Sequence, residues 1–467
     1  MPSPEKTTVS TVGQVTQLNG WPDGPRGHGP LGNLPELRRD ALAFLRHSRA
    51  AYGDVFRLRF GPRDVLVVAE PAAAREVLVT KAGSFRKGRG IQKMEDFLGS
   101  GLLTAEGEVW RGHRRLMQPA FHRSALEGMA EEIARATQPL LARLEAAARS
   151  GEPVDVASEM LRVALRAVAA VLFGAALDER DLRVVERELP PLLTSTTNRV
   201  RSPVDWRLPT PSLWREKAAA RALDALVHRI IRERRASGAE GNDLLGMLLS
   251  ARDEEGRGGL TDHELRDEVM TLFLAGHETT ATLLTFLFLA LSRHPELRER
   301  VQAEARERLG DRSPTAADAR NLPLLGACIQ ETLRLYPPAW LVPRQATGPV
   351  TVAGVPLPEG TNVSVNIFLL HRGARYWPEP DAFRPGRWLG RERTPEAFMP
   401  FGAGARMCIG NHLALMEAAI IAGLVLREFT LEVPGGGPTG LVAGVTLKPD
   451  GPVVAKVRSA SPSPVRE

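Results

Sequence analysis

One cysteine, Cys408, lies in a glycine-rich run that spans residues 401–410 and has the sequence FGAGARMCIG. The glycines permit a tight hairpin and a close approach of the backbone to a flat ligand. The apolar pattern from Leu413 to Ala419 then predicts a helix. Cys408 would stand at its N-terminus, where free amides and the helix dipole favour the thiolate, the form that ligates a metal. The alternative is a small buried side chain, which is also our prediction for Cys328 on an apolar helix face.

A second pair of chemically capable residues, Glu278 and Thr279, interrupts the apolar stretch from Val269 to Leu291. This stretch approaches the length of a membrane span. Ionisable groups at mid-bilayer are costly, so a buried helix through a large soluble core is the better interpretation. Gly276 weakens the helix locally and a threonine hydroxyl can bond to the carbonyl one turn earlier, so we expect the helix to open into a groove here. The alternative is a back-bonded threonine beside a paired glutamate.

The elements that must position these residues are mainly helical, with a small β region at one side. Periodicity and capping signals predict long helices over 34–52, 125–150, 156–174, 213–237, 261–293, 295–309 and 323–336. Thr261 stands three residues before Glu264, as in a capping box. Alternating or β-branched runs predict strands over 55–60, 65–68, 350–355 and 362–367, with a further hairpin after the turn at 433–438.

Composition narrows the class of protein. A chain of 467 residues implies two domains or one large enzyme domain. Two cysteines far apart argue against a disulfide scaffold and favour the cytoplasm. The net charge of +6 comes without a nucleic-acid motif, so an acidic redox protein is the expected partner rather than a nucleic acid. The first twenty residues lack the features of a signal peptide, so we expect no membrane anchor there.

The run around Cys408 resembles the haem-binding loop of the cytochrome P-450 family. Phe401, Gly404, Arg406, Cys408 and Gly410 all match the family pattern. The resemblance implies haem b with the Cys408 thiolate as the proximal iron ligand, which in these enzymes favours O–O cleavage. It also implies the single-domain haem-thiolate fold over 21–457, between flexible segments at 1–20 and 458–467.

The centre of the long apolar helix resembles the oxygen-activation motif of the same family. Ala275 and Gly276 would border the haem. Thr279 would hold dioxygen beside the iron, while Glu278 would help to relay protons from solvent. This role needs a hydroxyl that donates a hydrogen bond and a titratable carboxyl that resupplies the proton.

Two further sets of residues are assigned by the resemblance. Haem propionates attract arginines, and the positions that match the family's propionate donors are Trp110, Arg114, Arg344 and Arg406, with His113 a weaker candidate. A buried network that braces the haem loop is implied for Glu331, Arg334 and Arg387. Glu331 and Arg334 are one helical turn apart and can pair on one face. Trp388 stands where phenylalanine is commoner in the family.

The resemblance implies a monooxygenase that hydroxylates or epoxidises a hydrophobic small molecule, such as a terpenoid, fatty acid or macrolide. Pocket candidates lie in the segments 88–102 and 189–213 and at Ala275, Trp340, Leu341, Val342 and Leu441. The chain has no flavin, nicotinamide or iron–sulfur motif, so electrons are expected from a separate ferredoxin or flavoprotein, and the protein is expected to be a monomer. Two alternatives remain, a peroxide-driven peroxygenase and a non-catalytic haem sensor or ligand carrier.

Overall fold

The computed structural model describes residues 20–174, 178–201, 211–237, 243–252, 258–390 and 395–460, with backbone alone at 193–201, 211 and 212. The helices in this part of the chain are α1 Leu34–Tyr52, α2 Pro71–Arg75, α3 Arg89–Gln92, α4 Glu95–Leu98, α5 Gly107–Met117, α6 Arg123–Leu126, α7 Met129–Ser150, α8 Val156–Phe173, α9 Glu179–Arg201, α10 Pro211–Ser237, α11 Leu244–Ser250, α12 Asp262–Arg293, α13 Pro295–Leu309, α14 Ala316–Arg320, α15 Pro323–Leu335, α16 Ile367–Leu370 and α17 Asn411–Glu428. The mainly α prediction is therefore confirmed.

The strands form small sheets beside the helices. They are β1 Val55–Phe60, β2 Arg63–Val68, β3 Phe85–Lys87, β4 Val154–Asp155, β5 Val342–Ala346, β6 Val350–Val352, β7 Val355–Leu357, β8 Asn362–Val365, β9 Phe429–Glu432, β10 Leu441–Ala443, β11 Leu447–Pro449 and β12 Val454–Ser459. One sheet has the order β1-β2-β8-β5-β3, in which β2 and β8 are parallel and the other neighbours antiparallel. The strands β10 and β11 form a separate hairpin.

The long helix α12 runs through the centre of the protein. Its N-terminus carries the predicted capping box, in which Thr261 and Glu264 each accept a hydrogen bond from the other residue's backbone N–H. Most of its side chains are buried, and it packs against α8, α10, α15 and α17. In the part of the chain that the structure describes, α12 is the one helix whose length and apolar composition would allow it to cross a membrane. Most of its apolar part is, however, buried inside the protein. The long apolar stretch of α12 is therefore explained by packing in the core, in agreement with the prediction made from the polar residues at its centre.

Several predicted elements differ from those observed. The helix predicted over 125–150 is divided into α6 and α7. The proline-rich segment predicted as a connection from Leu189 begins within α9, which contains Pro190 and Pro191 and packs against α10; residues 202–210 of that segment lie outside the described residues. The segment 88–102 contains the short helices α3 and α4. Of the two segments expected to be flexible, only Gly20 and 458–460 are described, and β12 continues to Ser459.

Candidate active site

The Cys408 loop is a tight turn rather than the predicted hairpin. Gly402 and Gly404 have φ values of 72° and 73°, which L side chains rarely adopt. A Cβ on Gly404 would lie 2.2 Å from the carbonyl oxygen of Leu78, so the close approach of these two segments requires glycine. A short 3₁₀ turn over Gly404–Arg406 follows, and the Cys408 N–H donates to the Phe401 carbonyl at 3.0 Å. Cys408 is thereby held just before α17.

The environment of the Cys408 sulfur only partly matches the sequence prediction. The side chain is accessible, yet the surrounding protein desolvates the sulfur and raises the pKa of the thiol, while a hydrogen bond from the Gly410 N–H and the charge of Arg114 act in the opposite direction. Burial outweighs the helix terminus, so the thiolate is not favoured by the protein alone. A metal ion at the sulfur reverses this, because a coordinating thiol is deprotonated outright. Cys328 is fully buried, and burial raises its pKa to about 12, as expected of an inert thiol.

On α12, Ala275 is exposed, and Leu272, Gly276 and Thr279 are partly exposed, although most of the helix is buried. This strip in the middle of a mostly buried helix is surface that a bound molecule can contact. The Thr279 hydroxyl donates to the Ala275 carbonyl at 2.7 Å, which is the predicted back-bond. The predicted opening of the helix is not observed, since the helix continues through this turn. Gly276 instead permits close packing, because a Cβ there would lie 3.0 Å from Val168 of α8.

The carboxylate of Glu278 is paired with a residue that no motif indicated. Lys448 Nζ, on β11, lies 2.5 Å from Glu278 Oε1. The neighbouring His277 is buried, and burial lowers its pKa to about 4, so this imidazole is neutral at pH 7. Its Nδ1 has no hydrogen-bond partner. Glu278 therefore lies between the interior turn of α12 and the β10–β11 hairpin, paired with the ammonium group of Lys448.

Three cations, Lys87, Arg344 and Arg406, lie close to the carboxylate of Glu106 next to the Cys408 loop. Lys87 and Arg344 lie directly opposite each other on β3 and β5, an unfavourable arrangement for like charges. Burial, with repulsion from Arg406, lowers the pKa of Lys87 to about 7 and that of Arg344 to about 10. Glu106 pairs with Arg406 and accepts the backbone N–H of Lys87 at 2.6 Å. The excess positive charge is suited to an anionic ligand.

Two observations favour the propionates of haem as that ligand. The buried Nη1 of Arg406 has no hydrogen-bond partner, and the Arg406 guanidinium lies 4.7 Å from the centre of the Trp110 ring. Trp110, Arg344 and Arg406, which the sequence assigned to the propionates, therefore converge on one place. The sequence did not indicate Lys87 or Glu106, because neither belongs to a motif. Strand pairing brings Lys87 opposite Arg344, and Glu106 reaches the cluster through Arg406 and the Lys87 N–H.

The other two residues of this prediction are placed differently. Arg114 donates to the Met407 carbonyl at 2.8 Å and so contacts the Cys408 loop itself. His113 is buried with Nδ1 2.7 Å from Glu268 and Nε2 3.5 Å from Glu264, both on α12. The hydrogen bond to Glu268 raises the pKa of His113, although burial opposes this. Both ring nitrogens lie within hydrogen-bond distance of carboxylates, and the assignment of His113 to the propionates stays a prediction.

The predicted brace is assembled around Glu331. Its two carboxylate oxygens accept hydrogen bonds from Arg334 Nε and Nη2 at 2.9 Å, from Arg387 Nε at 2.9 Å, from the Arg384 N–H at 2.9 Å and from the Trp388 indole at 2.8 Å. The Trp388 indole thus provides a donor that phenylalanine would lack. Trp388 also packs on Phe398, with ring centres 4.5 Å apart, just before the Cys408 loop.

The pocket candidates divide into two groups. Trp340 is largely buried, and its indole N–H donates to the Gly444 carbonyl at 2.9 Å. It therefore fastens the β10–β11 hairpin to the core, and its assignment to the pocket stays a prediction. Leu341, Val342 and Leu441 are half-buried apolar residues, which leaves apolar surface for a ligand at the ends of β5 and β10.

Comparisons with known proteins agree with this site. A family model described as Cytochrome P450 matches residues 22–454. The chain is 36% identical over 411 residues to Cyclooctat-9-en-7-ol 5-monooxygenase of Streptomyces melanosporofaciens, which covers 87% of this chain and 88% of that protein. It is 34% identical to Cyclooctatin synthase of the same organism, over 88% of this chain and 90% of that protein. It is 34% identical to Pentalenene oxygenase of Streptomyces avermitilis, over 89% of this chain and 92% of that protein.

The family match at 22–454 includes the Cys408 loop, the polar centre of α12 and the Glu331 network. The sequence motifs and the whole-chain similarity therefore agree, and the chain belongs to the cytochrome P450 family of haem-thiolate monooxygenases.

Proposed function

We propose that this monooxygenase binds haem b through Cys408 and inserts one oxygen atom from dioxygen into a terpenoid substrate. It receives two electrons from a separate ferredoxin or flavoprotein and acts as a monomer in the cytoplasm. The observation that carries the proposal is the placement of Cys408 before α17, with the cation cluster of Lys87, Arg344 and Arg406 beside it. Haem accounts for both the cysteine and the cations, because its iron can be bound by a thiolate and its two propionates by arginines.

Each group of residues has a defined task. The bound haem supplies the redox and oxygen chemistry. Cys408 provides the sulfur ligand, the three cations and Trp110 hold the propionates, and the Glu331 network keeps the loop in place. On the opposite side, the Thr279 hydroxyl lies beside the exposed Ala275 and can hydrogen-bond a small oxygen species or a water there. Glu278 resupplies the proton that this hydroxyl delivers.

The substrate class is inferred from the apolar lining and from the relatives. Leu341, Val342 and Leu441 offer apolar surface, which suits a hydrophobic ligand. The names Pentalenene oxygenase and Cyclooctat-9-en-7-ol 5-monooxygenase denote an alkene and an unsaturated alcohol as the compounds on which those proteins act. An unsaturated terpenoid hydrocarbon or alcohol is therefore proposed ahead of a fatty acid or a macrolide.

Two spectroscopic experiments test this proposal. The reduced protein under carbon monoxide should give the red-shifted Soret band of a sulfur-bonded haem. A panel of terpene alcohols, fatty acids and macrolides should then give a spectral shift on binding with the terpene alcohols at the lowest concentration. Turnover should require a reductase pair, and turnover with hydrogen peroxide alone would identify a peroxygenase. Binding without any turnover would identify a sensor or carrier.

Replacing Thr279 by alanine tests the distal side. Removal of the hydroxyl is expected to lower the product formed per electron at least about tenfold, because positioned proton donors contribute this much or more. Haem content and the carbon monoxide spectrum should remain unchanged. The matched control is Thr279→Ser, which keeps the hydroxyl and should recover most of the yield. An unchanged yield in Thr279→Ala would show that the hydroxyl takes no part.

Replacing Arg344 by methionine tests the propionate cluster. Loss of one charge-assisted hydrogen bond should weaken haem binding about tenfold. Haem transfer to an excess of apomyoglobin measures this as a faster rate. Arg39→Met, at an exposed position on α1, is the control and should leave the rate unchanged. Equal transfer rates for Arg344→Met and the wild type would contradict the assignment of this arginine.

A further inference from the structure

The partner of Glu278 lies on the C-terminal hairpin, far from α12 in the sequence. Lys448 Nζ lies 2.5 Å from Glu278 Oε1. The lysine side chain is 53% exposed, whereas the glutamate side chain is only 10% exposed. The ion pair therefore joins the protein surface to the buried turn of α12 that carries Thr279.

The backbone around Lys448 is fixed from several sides. Lys448 is paired in register with Val442 of β10. The preceding Leu447 is fully buried, and its N–H donates to the Pro338 carbonyl at 3.1 Å. The Trp340 indole holds the turn between the two strands through the Gly444 carbonyl. The position of the ammonium group thus follows from a hairpin that is bonded to the core.

Two residues near this turn of α12, His277 and Val168, carry no charge at pH 7. The adjacent His277 is neutral at pH 7, because burial lowers its pKa to about 4. On the side of α8, the residue that approaches this turn is the apolar Val168. A nearly buried carboxylate without a cation is unfavourable and takes up a proton instead.

We propose that Lys448 is a positioning residue for proton delivery: its ammonium group pairs with the Glu278 carboxylate and keeps it turned toward the surface, where the carboxylate takes up each proton from solvent. The inference rests on the proposed function, because it requires that protons are consumed at Thr279. No bond other than that of the transferred proton changes. The proton passes from water to the Glu278 carboxylate and then to the hydroxyl relay.

The Lys448→Ala variant tests the proposal with a readout that does not depend on turnover. Loss of the cation should favour the protonated form of the Glu278 carboxyl, because a nearby opposite charge favours the ionised form. The C–O stretching frequency of the carbon monoxide complex is sensitive to charge on the distal side, so its pH titration should show a higher midpoint. Glu278→Gln should abolish the pH dependence of the C–O stretching frequency, which would assign this titration to the Glu278 carboxyl.

Turnover provides the second readout. Product per electron should fall several-fold in Lys448→Ala, and the solvent isotope effect on product formation should increase, because proton uptake becomes slower. Lys448→Arg keeps the charge and should restore both values. Lys456→Ala, at an exposed position on β12, is the matched control and should resemble the wild type.

Distinct results would overturn the proposal. An unchanged titration midpoint in Lys448→Ala would show that the lysine does not control the carboxylate. A lower yield that Lys448→Arg fails to restore would assign Lys448 to hairpin packing alone. If the wild type itself forms no product with any electron donor, the proposed function fails, whereas the infrared titration still decides whether Lys448 governs the charge of Glu278.

Discussion

Replacing Cys408 by serine is expected to abolish both the sulfur-bonded carbon monoxide spectrum and product formation. A serine hydroxyl is far less acidic than a thiol and cannot supply the soft anionic ligand that pushes electron density onto the iron. The Cys408 N–H donates to the Phe401 carbonyl, and the Gly410 N–H can donate to a serine oxygen as it does to the sulfur. The substitution should therefore leave the fold intact. The absorption spectrum of the reduced protein under carbon monoxide and the product yield measure the effect.

The second cysteine provides the control for this experiment. Cys328 is fully buried on α15, and its pKa is raised to about 12. Cys328→Ala should therefore retain the full spectrum and activity, with a loss in the free energy of unfolding of about 1 kcal/mol. A sulfur-bonded spectrum that survives in Cys408→Ser would contradict the assignment of the ligand. Its disappearance in Cys328→Ala would do the same.

The parts of the site that could be predicted are those whose residues are close in sequence. The capping box of Thr261, the back-bond of Thr279 and the pairing of Glu331 with Arg334 all act over three or four residues of a helix. A local pattern encodes them directly. The Cys408 loop is similar, because its glycines are required by the local backbone conformation.

The parts that could not be predicted depend on packing between distant segments. Lys448 reaches Glu278 only because the hairpin lies against α12. Lys87 faces Arg344 only because β3 pairs with β5. Local propensity predicts that Pro190 and Pro191 interrupt a helix, but α9 continues through them and packs against α10. His113 matches a motif, but its contacts with the carboxylates of α12 join residues that are distant in sequence.

Replacing Glu331 by glutamine is expected to produce the largest loss of stability. Arg334 has no exposed side-chain area, and Arg387 is largely buried. Removal of the carboxylate charge would leave both cations uncompensated, which typically costs about 3–5 kcal/mol in the free energy of unfolding. Glu145→Gln is the control, since the Glu145–Arg149 pair on α7 is exposed, and should change the free energy by less than about 1 kcal/mol. Chemical denaturation measures both values.

A milder variant keeps this prediction testable if Glu331→Gln does not fold. Trp388→Phe removes only the indole hydrogen bond to Glu331 and should cost about 1 kcal/mol. A loss no larger than that of Glu145→Gln would show that the network does not stabilise the fold.

The same network predicts a dependence of stability on pH. Burial opposes the ionisation of Glu331, but hydrogen bonds and charge from Arg334, with hydrogen bonds from the Arg384 N–H and Trp388, outweigh it and lower the pKa of the carboxyl. A carboxyl whose pKa is lower in the folded state stabilises the protein above its unfolded pKa of about 4.3. This contribution is lost as the pH falls through the folded value. The difference in unfolding free energy between the wild type and Glu331→Gln should therefore be constant near neutrality and decrease in acid. If this difference in unfolding free energy stayed the same in acid, the charge of Glu331 would not be the source of its stabilising contact with Arg334 and Arg387.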